Sequence, residues 1–156
     1  GAAKAQEMPA SDKTDMLCRT WKVVDYETSD PDDDDEDDTG HVYFSKAGTY
    51  LVSYSDGTSG VASWKWKSEA DGVLYYSWDT PPDWDDDSTV TVETLTATSL
   101  VICERFSYDS NGDGVEETYE YRWHLEPVAA PAATRSGGFP AASLLGGASG
   151  RGFLGR

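Results

Sequence analysis

Residues 49–68, TYLVSYSDGTSGVASWKWKS, decide the fold. Tyr50, Val52 and Tyr54 alternate with polar or outward positions, and Trp64 and Trp66 resume that period of two beyond the turn. Side chains of a strand point to opposite faces in turn, so this spacing places the aromatic residues on one buried face. Asp-Gly at 56–57 separates the two runs and is a hairpin signal, because Gly admits the positive φ of a tight turn. The unit is a β-hairpin with one apolar side.

The same pattern repeats outward in both directions. Strands are expected at Leu17–Glu27, His41–Ser45, Thr49–Tyr54, Val61–Ser68, Val73–Trp78, Thr89–Leu95, Ser99–Tyr108 and Val115–Glu126, all rich in Val, Thr, Tyr and Trp. Turn residues occupy each gap, and no stretch shows a helical period. Eight strands joined by local turns predict an all-β, antiparallel up-and-down meander barrel over residues 17–126. Residues 1–16 read as a flexible leader or linker. Residues 127–156, rich in Ala, Gly and Pro, read as a flexible tail. Alternation assigns an inner face: Trp21 and Val23, Val42 and Phe44, Tyr50, Val52 and Tyr54, Trp64 and Trp66, Val90 and Val92, Leu100, Ile102 and Phe106, then Tyr119, Tyr121, Trp123 and Leu125. The fifth strand is apolar on both faces, and its inner side stays open.

Charge divides the chain. The net charge is −17, with every acid within residues 1–126, and residues 127–156 carry three Arg and no acid. Sixteen carboxylates and no Lys or Arg lie in four segments, Thr28–Gly40, Ser55–Gly60, Asp79–Ser88 and Asp109–Gly114. In a meander every second connection shares an end, so one rim is expected to be long-looped and anionic. Such a field opposes nucleic acid and anionic membranes as partners. No apolar run reaches the length of a transmembrane helix. Nor does a basic stretch followed by an apolar run open the sequence, and the start at Gly1 is compatible with earlier removal of an export signal. Cys18 and Cys103, placed in the first and seventh strands of a closed order, would stand about 10 Å apart. Two thiols rather than a bridge are expected.

Three constellations could carry chemistry. The aromatic lining Trp21, Phe44, Tyr50, Trp64, Trp66, Tyr119, Tyr121 and Trp123 could receive a small apolar or amphipathic ligand, or could fill the barrel itself. Asp109-Ser-Asn111-Gly-Asp113-Gly114 has the oxygen spacing of a calcium loop, with Glu116 available to complete a shell; the alternative is a hairpin turn set by Asn and Gly. Trp78 and Trp84 flank a Pro-Pro turn and could stack on a glycan, or could cap the barrel. The run Asp32–Asp38 reads as a solvated loop. No catalytic residues are expected: phosphate loop, nucleophile elbow and metalloprotease motifs are missing, and His41 and His124 fall at opposite barrel ends. The expected class is therefore a binding module that is not an enzyme and needs no cofactor. A calcium-dependent adhesion or glycan-binding module is the second reading.

Several of these segments resemble a known family. Leu17-Cys-Arg-Thr-Trp21, Phe44 with Gly48-Thr-Tyr50, and Leu95-Thr-Ala-Thr-Ser-Leu-Val101 are similar to motifs of the lipocalin-like domains of secreted Bacteroidetes proteins, over roughly residues 16–126. That family opens with Leu-x-Gly-x-Trp, and here Arg19 stands at the Gly position. The resemblance implies an eight-stranded calyx-type barrel and an exported protein: a periplasmic, outer-membrane-associated or extracellular one, frequently a lipoprotein of the cell envelope. It implies no assigned ligand and no enzymatic role.

Overall fold

A computed structural model describes residues 12–33, 39–129 and 152–155. One helix, α1 (Asp12–Leu17), precedes eight strands: β1 (Thr20–Thr28), β2 (Thr39–Phe44), β3 (Thr49–Tyr54), β4 (Ser59–Ser68), β5 (Val73–Ser77), β6 (Thr89–Leu95), β7 (Leu100–Tyr108) and β8 (Glu117–Pro127). Each strand pairs antiparallel with the next, and β8 returns to β1, from Trp21 opposite Pro127 to Thr28 opposite Tyr121. The sheet is a closed up-and-down barrel, as the alternation predicts. Closure gives every strand a hydrogen-bonded neighbour on both sides.

The acidic connections follow β1, β3, β5 and β7, and therefore gather at one end. Residues 34–38, the centre of the longest acidic run, lie outside the described residues. At the opposite end the connections after β2, β4 and β6 are short. The inner face agrees with the alternation for Trp21, Phe44, Tyr50, Trp64, Ile102 and Trp123, all buried, while Val23, Trp66, Val92 and Tyr121 pack partly buried against them. β5 turns Leu74 and Tyr76 inward, with Trp78 continuing the same side just past its end. Phe106 departs from expectation. It shares the parity of Leu100 and Ile102 but is 38% exposed, because β7 has by then reached the mouth, where its ring meets that of Tyr121 at 5.7 Å between centroids.

The expectation of a featureless leader up to residue 16 fails for its last residues. α1 closes the end opposite the acidic loops. Leu17 is buried, Lys13 Nζ donates to the Glu69 carbonyl at 2.6 Å, and Thr14 Oγ1 accepts from Trp66 Nε1 at 3.0 Å. Asp15 pairs with Lys46 at 2.7 Å, and the Leu17 carbonyl accepts from Trp21 Nε1 at 3.0 Å. Six residues are too few to display a helical period, and so short a helix is stable only through such tertiary contacts. Residues 1–11 are outside the description.

Cys18 precedes β1 rather than lying in it, Cys103 is buried in β7, and both are free thiols. Burial raises both thiol pKa values, that of Cys18 to about 11, so neither is an activated thiolate. His41 and His124 are not at opposite ends: they flank β1, opposite Lys22 and Asp25, and His124 Nε2 meets Glu27 Oε2 at 3.1 Å. The strongly tilted register of a closed barrel, invisible in a linear strand list, brings them level. Among the described residues no helix is long and apolar enough to cross a membrane.

Two turn glycines test the backbone requirement separately. Gly57 (φ +90°) has open space where a Cβ would stand, whereas at Gly72 (φ +72°) a Cβ would meet the Val92 carbonyl oxygen at 2.8 Å. Gly57→Ala should cost about 1 kcal/mol, the left-handed backbone penalty alone. Gly72→Ala should cost roughly 3 kcal/mol, since the β4–β5 turn must also move off β6. Urea midpoints of the two variants check the difference; equal losses would mean that the contact with Val92 is soft.

Candidate ligand-binding site

The interior of the barrel is lined by aromatic residues and is occupied by the chain itself. Gly152, Phe153 and Leu154, from the far end of the sequence, are buried within the core. The Phe153 ring lies 4.8 Å from Tyr50, 5.6 Å from Tyr76, 6.1 Å from Phe44 and 6.4 Å from Trp123, measured between centroids. Gly155 N–H donates to the Gly152 carbonyl at 2.9 Å, so the four residues form a tight turn. The expectation of a flexible tail over 127–156 is therefore corrected for Gly152–Gly155, and residues 130–151 and 156 lie outside the described residues. Apolar burial explains the difference. A composition too poor in apolar residues to build its own core can still place one Phe and one Leu in a core built by others.

Wall side chains address the main chain of this turn. Trp78 Nε1 donates to the Gly152 carbonyl at 2.9 Å. The Tyr50 hydroxyl donates to the Phe153 carbonyl at 2.5 Å, and the Tyr54 hydroxyl to the Leu154 carbonyl at 2.6 Å. The Phe153 N–H in turn donates to Glu104 Oε1 at 3.1 Å. These groups come from β3, from the residue after β5 and from β7. Trp78 and Tyr54 stand at the acidic end, so the limbs of the turn face the mouth while the Phe153 ring reaches toward Phe44.

Glu104 is the residue that sequence reasoning missed. It is 2% exposed and also accepts from the Tyr76 hydroxyl. Its signal was parity: Glu104 sits between Ile102 and Phe106 on the inward face of β7. Burial raises its carboxyl pKa to about 7, against the opposing hydrogen bonds from Tyr76 and the Phe153 N–H. The Tyr76 hydroxyl is pushed upward by burial and by Glu104.

The lining residues named from sequence largely converge here. Trp21, Phe44, Tyr50, Trp64, Tyr119 and Trp123 are buried, and Trp66 and Tyr121 are partly so. Trp66 and Trp21 serve the α1 end, where their indoles bond to Thr14 and Leu17. Tyr119 points its hydroxyl to Ser110 and Glu117 at the mouth. Tyr121 and Tyr108 both donate to Asp30, and Tyr26 donates to Asp33 at 2.8 Å, so tyrosines on the wall hold the first acidic loop. Burial raises the Asp30 carboxyl pKa, but the Tyr121 and Tyr108 hydroxyls and the Asp32 N–H outweigh it and hold it below the usual range.

Trp78 and Trp84 do not share a surface. Trp78 is the interior donor described above. Trp84 lies on the outside beside Tyr75, 6.2 Å away, with Lys65 Nζ 5.0 Å from its ring centroid. The barrel wall separates them, so they do not form a paired platform.

At the calcium-spaced loop, the oxygens serve the turn. Asp109 accepts from the N–H groups of Gly112, Asp113 and Gly114 at 2.8, 3.2 and 2.8 Å. Asn111 Oδ1 accepts from Asp113 N–H at 3.1 Å, Asp113 Oδ1 from Val115 N–H at 2.8 Å, and Glu116 is exposed. The backbone N–H groups, that of Gly114 foremost, draw the Asp109 pKa down. Among the described residues, no three His, Cys, Asp or Glu side chains are grouped to hold a metal ion.

No family model, no curated protein and no solved structure matches this chain.

The protonation of Glu104 has a sign that can be measured. Its folded pKa of about 7 lies above the ordinary 4.5, so its stabilising contribution is complete below about pH 4.5 and is lost as pH rises through 7. The loss amounts to roughly 3 kcal/mol. Carboxylates held low, Asp30 and Asp109 among them, act oppositely and only as pH falls below their ordinary range. Glu104→Gln should therefore flatten the stability profile: wild type should lose stability relative to the variant between pH 5 and 8 in urea titrations. Parallel profiles would show that Glu104 does not titrate in this window.

Proposed function

We propose that this protein is a non-catalytic binding module whose barrel interior takes a small apolar or amphipathic ligand through the acidic mouth. One observation carries the reading. The wall does not fill its own interior, and the space it leaves accepts a Phe ring and a Leu side chain from a segment outside the barrel. An eight-stranded barrel is wide enough either to be filled by its wall or to hold one small guest. Here a guest is present, and it comes from the same chain. Wall groups with polar tips, such as Tyr50, Tyr54 and Trp78, suit a ligand with apolar body and polar acceptors. The resemblance of residues 16–126 to lipocalin-like domains is in keeping with the same class, and would imply an exported, envelope-associated setting.

On this reading, weakening the resident segment should open the interior to other apolar molecules. Phe153→Ala should lower stability by about 3 kcal/mol, as expected for loss of a buried ring. The same variant should bind the neutral fluorophore N-phenyl-1-naphthylamine saturably, one per chain, at least tenfold more tightly than wild type. A folded variant that takes up no probe would show that the interior is a packed core and not a container.

A further inference from the structure

The contacts made with Gly152–Gly155 define the chemistry of the guest more narrowly than apolar character does. Trp78, Tyr50 and Tyr54 each donate to a successive carbonyl, of Gly152, Phe153 and Leu154, and Glu104 accepts the Phe153 N–H. All four wall groups read main chain, while the Phe153 ring is surrounded by Tyr50, Tyr76, Phe44 and Trp123 and Leu154 is buried in the hydrophobic core. We propose that the interior is a peptide-binding site, recognising a short segment with an aromatic-aliphatic pair at a tight turn and basic flanks, and that the chain's own Gly152–Gly155 is a displaceable occupant of it. The inference rests on the container reading and adds the identity of the guest as a peptide.

Three features of the molecule support it. Main-chain hydrogen bonds are the same for any peptide that adopts the turn, so recognition does not depend on the covalent link to the barrel. In the sequence Arg151 and Arg156 flank Gly152–Gly155, of which Gly152, Phe153 and Leu154 are buried, and four acidic connections lie at the mouth. Opposite charge at the rim favours basic flanks and speeds association. Finally, the occupant is joined to β8 through residues 130–151, a length that could span about 70 Å if extended. Attachment of this kind supplies an effective concentration on the order of millimolar, so a free peptide must outcompete the tail and occupancy acquires a threshold.

The test uses the 156-residue chain carrying Phe153→Gly, which weakens the resident segment, and the hexapeptide acetyl-RGFLGR-amide. Isothermal titration should show one peptide per chain, with affinity falling as salt is raised. A peptide N-methylated at Phe, which cannot donate to Glu104, should bind at least tenfold more weakly, because a buried acceptor is left without its partner. Equal affinity of the two peptides, or binding of N-phenyl-1-naphthylamine without any peptide binding, overturns the peptide assignment and leaves the container reading standing. Failure of both probes to bind a folded variant removes both. If Phe153→Gly does not fold alone, it is refolded with each probe. Recovery of the barrel with the hexapeptide but not its N-methyl form supports the proposal, and recovery with neither overturns it.

Discussion

Pairing of β8 with β1 is the constraint on which the molecule depends. It spans from Trp21 opposite Pro127 to Thr28 opposite Tyr121, and it turns a meander into a tube with two distinct ends. Without closure there would be no inside, and the inward rows of Trp, Tyr and Phe would be a sheet face in need of another layer. Closure also fixes which connections are neighbours. Because the strands are antiparallel and odd-numbered strands all run toward the same end, the loops after β1, β3, β5 and β7 meet there. The negative charge of the chain is thus concentrated by topology at one opening.

The other end is sealed. α1 lies across it, pinned by Lys13, Thr14, Asp15 and Leu17 to groups on four different parts of the barrel. One end covered by α1 and the other ringed by acidic connections make the two ends of the tube chemically different. Polar groups inside then matter more than they would in water, because an unpartnered donor or acceptor there costs free energy that solvent cannot return. The hydroxyls of Tyr50 and Tyr54, the Trp78 indole N–H and Oε1 of Glu104 all bond to one turn of the chain, while the other Glu104 oxygen accepts from Tyr76. Within the turn, the carbonyls of Gly152, Phe153 and Leu154 and the N–H groups of Phe153 and Gly155 are all hydrogen-bonded. Wall and occupant solve each other's desolvation problem.

Glu104 is the point at which this arrangement meets pH. A carboxyl so deeply buried is held near neutrality by desolvation, while the two donors that face it favour the charged form. Its protonation is thereby coupled to the position of the Phe153 turn, since the Phe153 N–H is one of those donors. The exposed acidic loops behave in the opposite sense: Asp30 and Asp109 are held low by hydroxyl and N–H donors. Two classes of carboxylate coexist, one inside and reluctant to ionise, the other at the rim and stabilised as the anion.

Local pattern was sufficient for the barrel. A period of two through Tyr50–Tyr54 and Trp64–Trp66, glycines at the turns, and charge restricted to alternate connections are short-range properties, and each strand paired with its neighbour in sequence. Parity also contained Glu104, at an inward position of β7, although a carboxylate among apolar neighbours reads as an outward residue until the register is known. Three features were beyond any local signal. α1 is too short to show a period and exists because of what it covers. Phe106 has inward parity, but its height in the barrel decides its exposure. The burial of Phe153 and Leu154 joins segments about a hundred residues apart, such as Tyr50 and Phe153, through contacts that no turn or period encodes. The sequence by itself determined the meander of strands and its charged rim, because those follow from neighbours along the chain. Only the tertiary structure decided what lies inside, because an interior exists only after closure, and the Phe153 and Leu154 that fill it come from a segment remote in sequence.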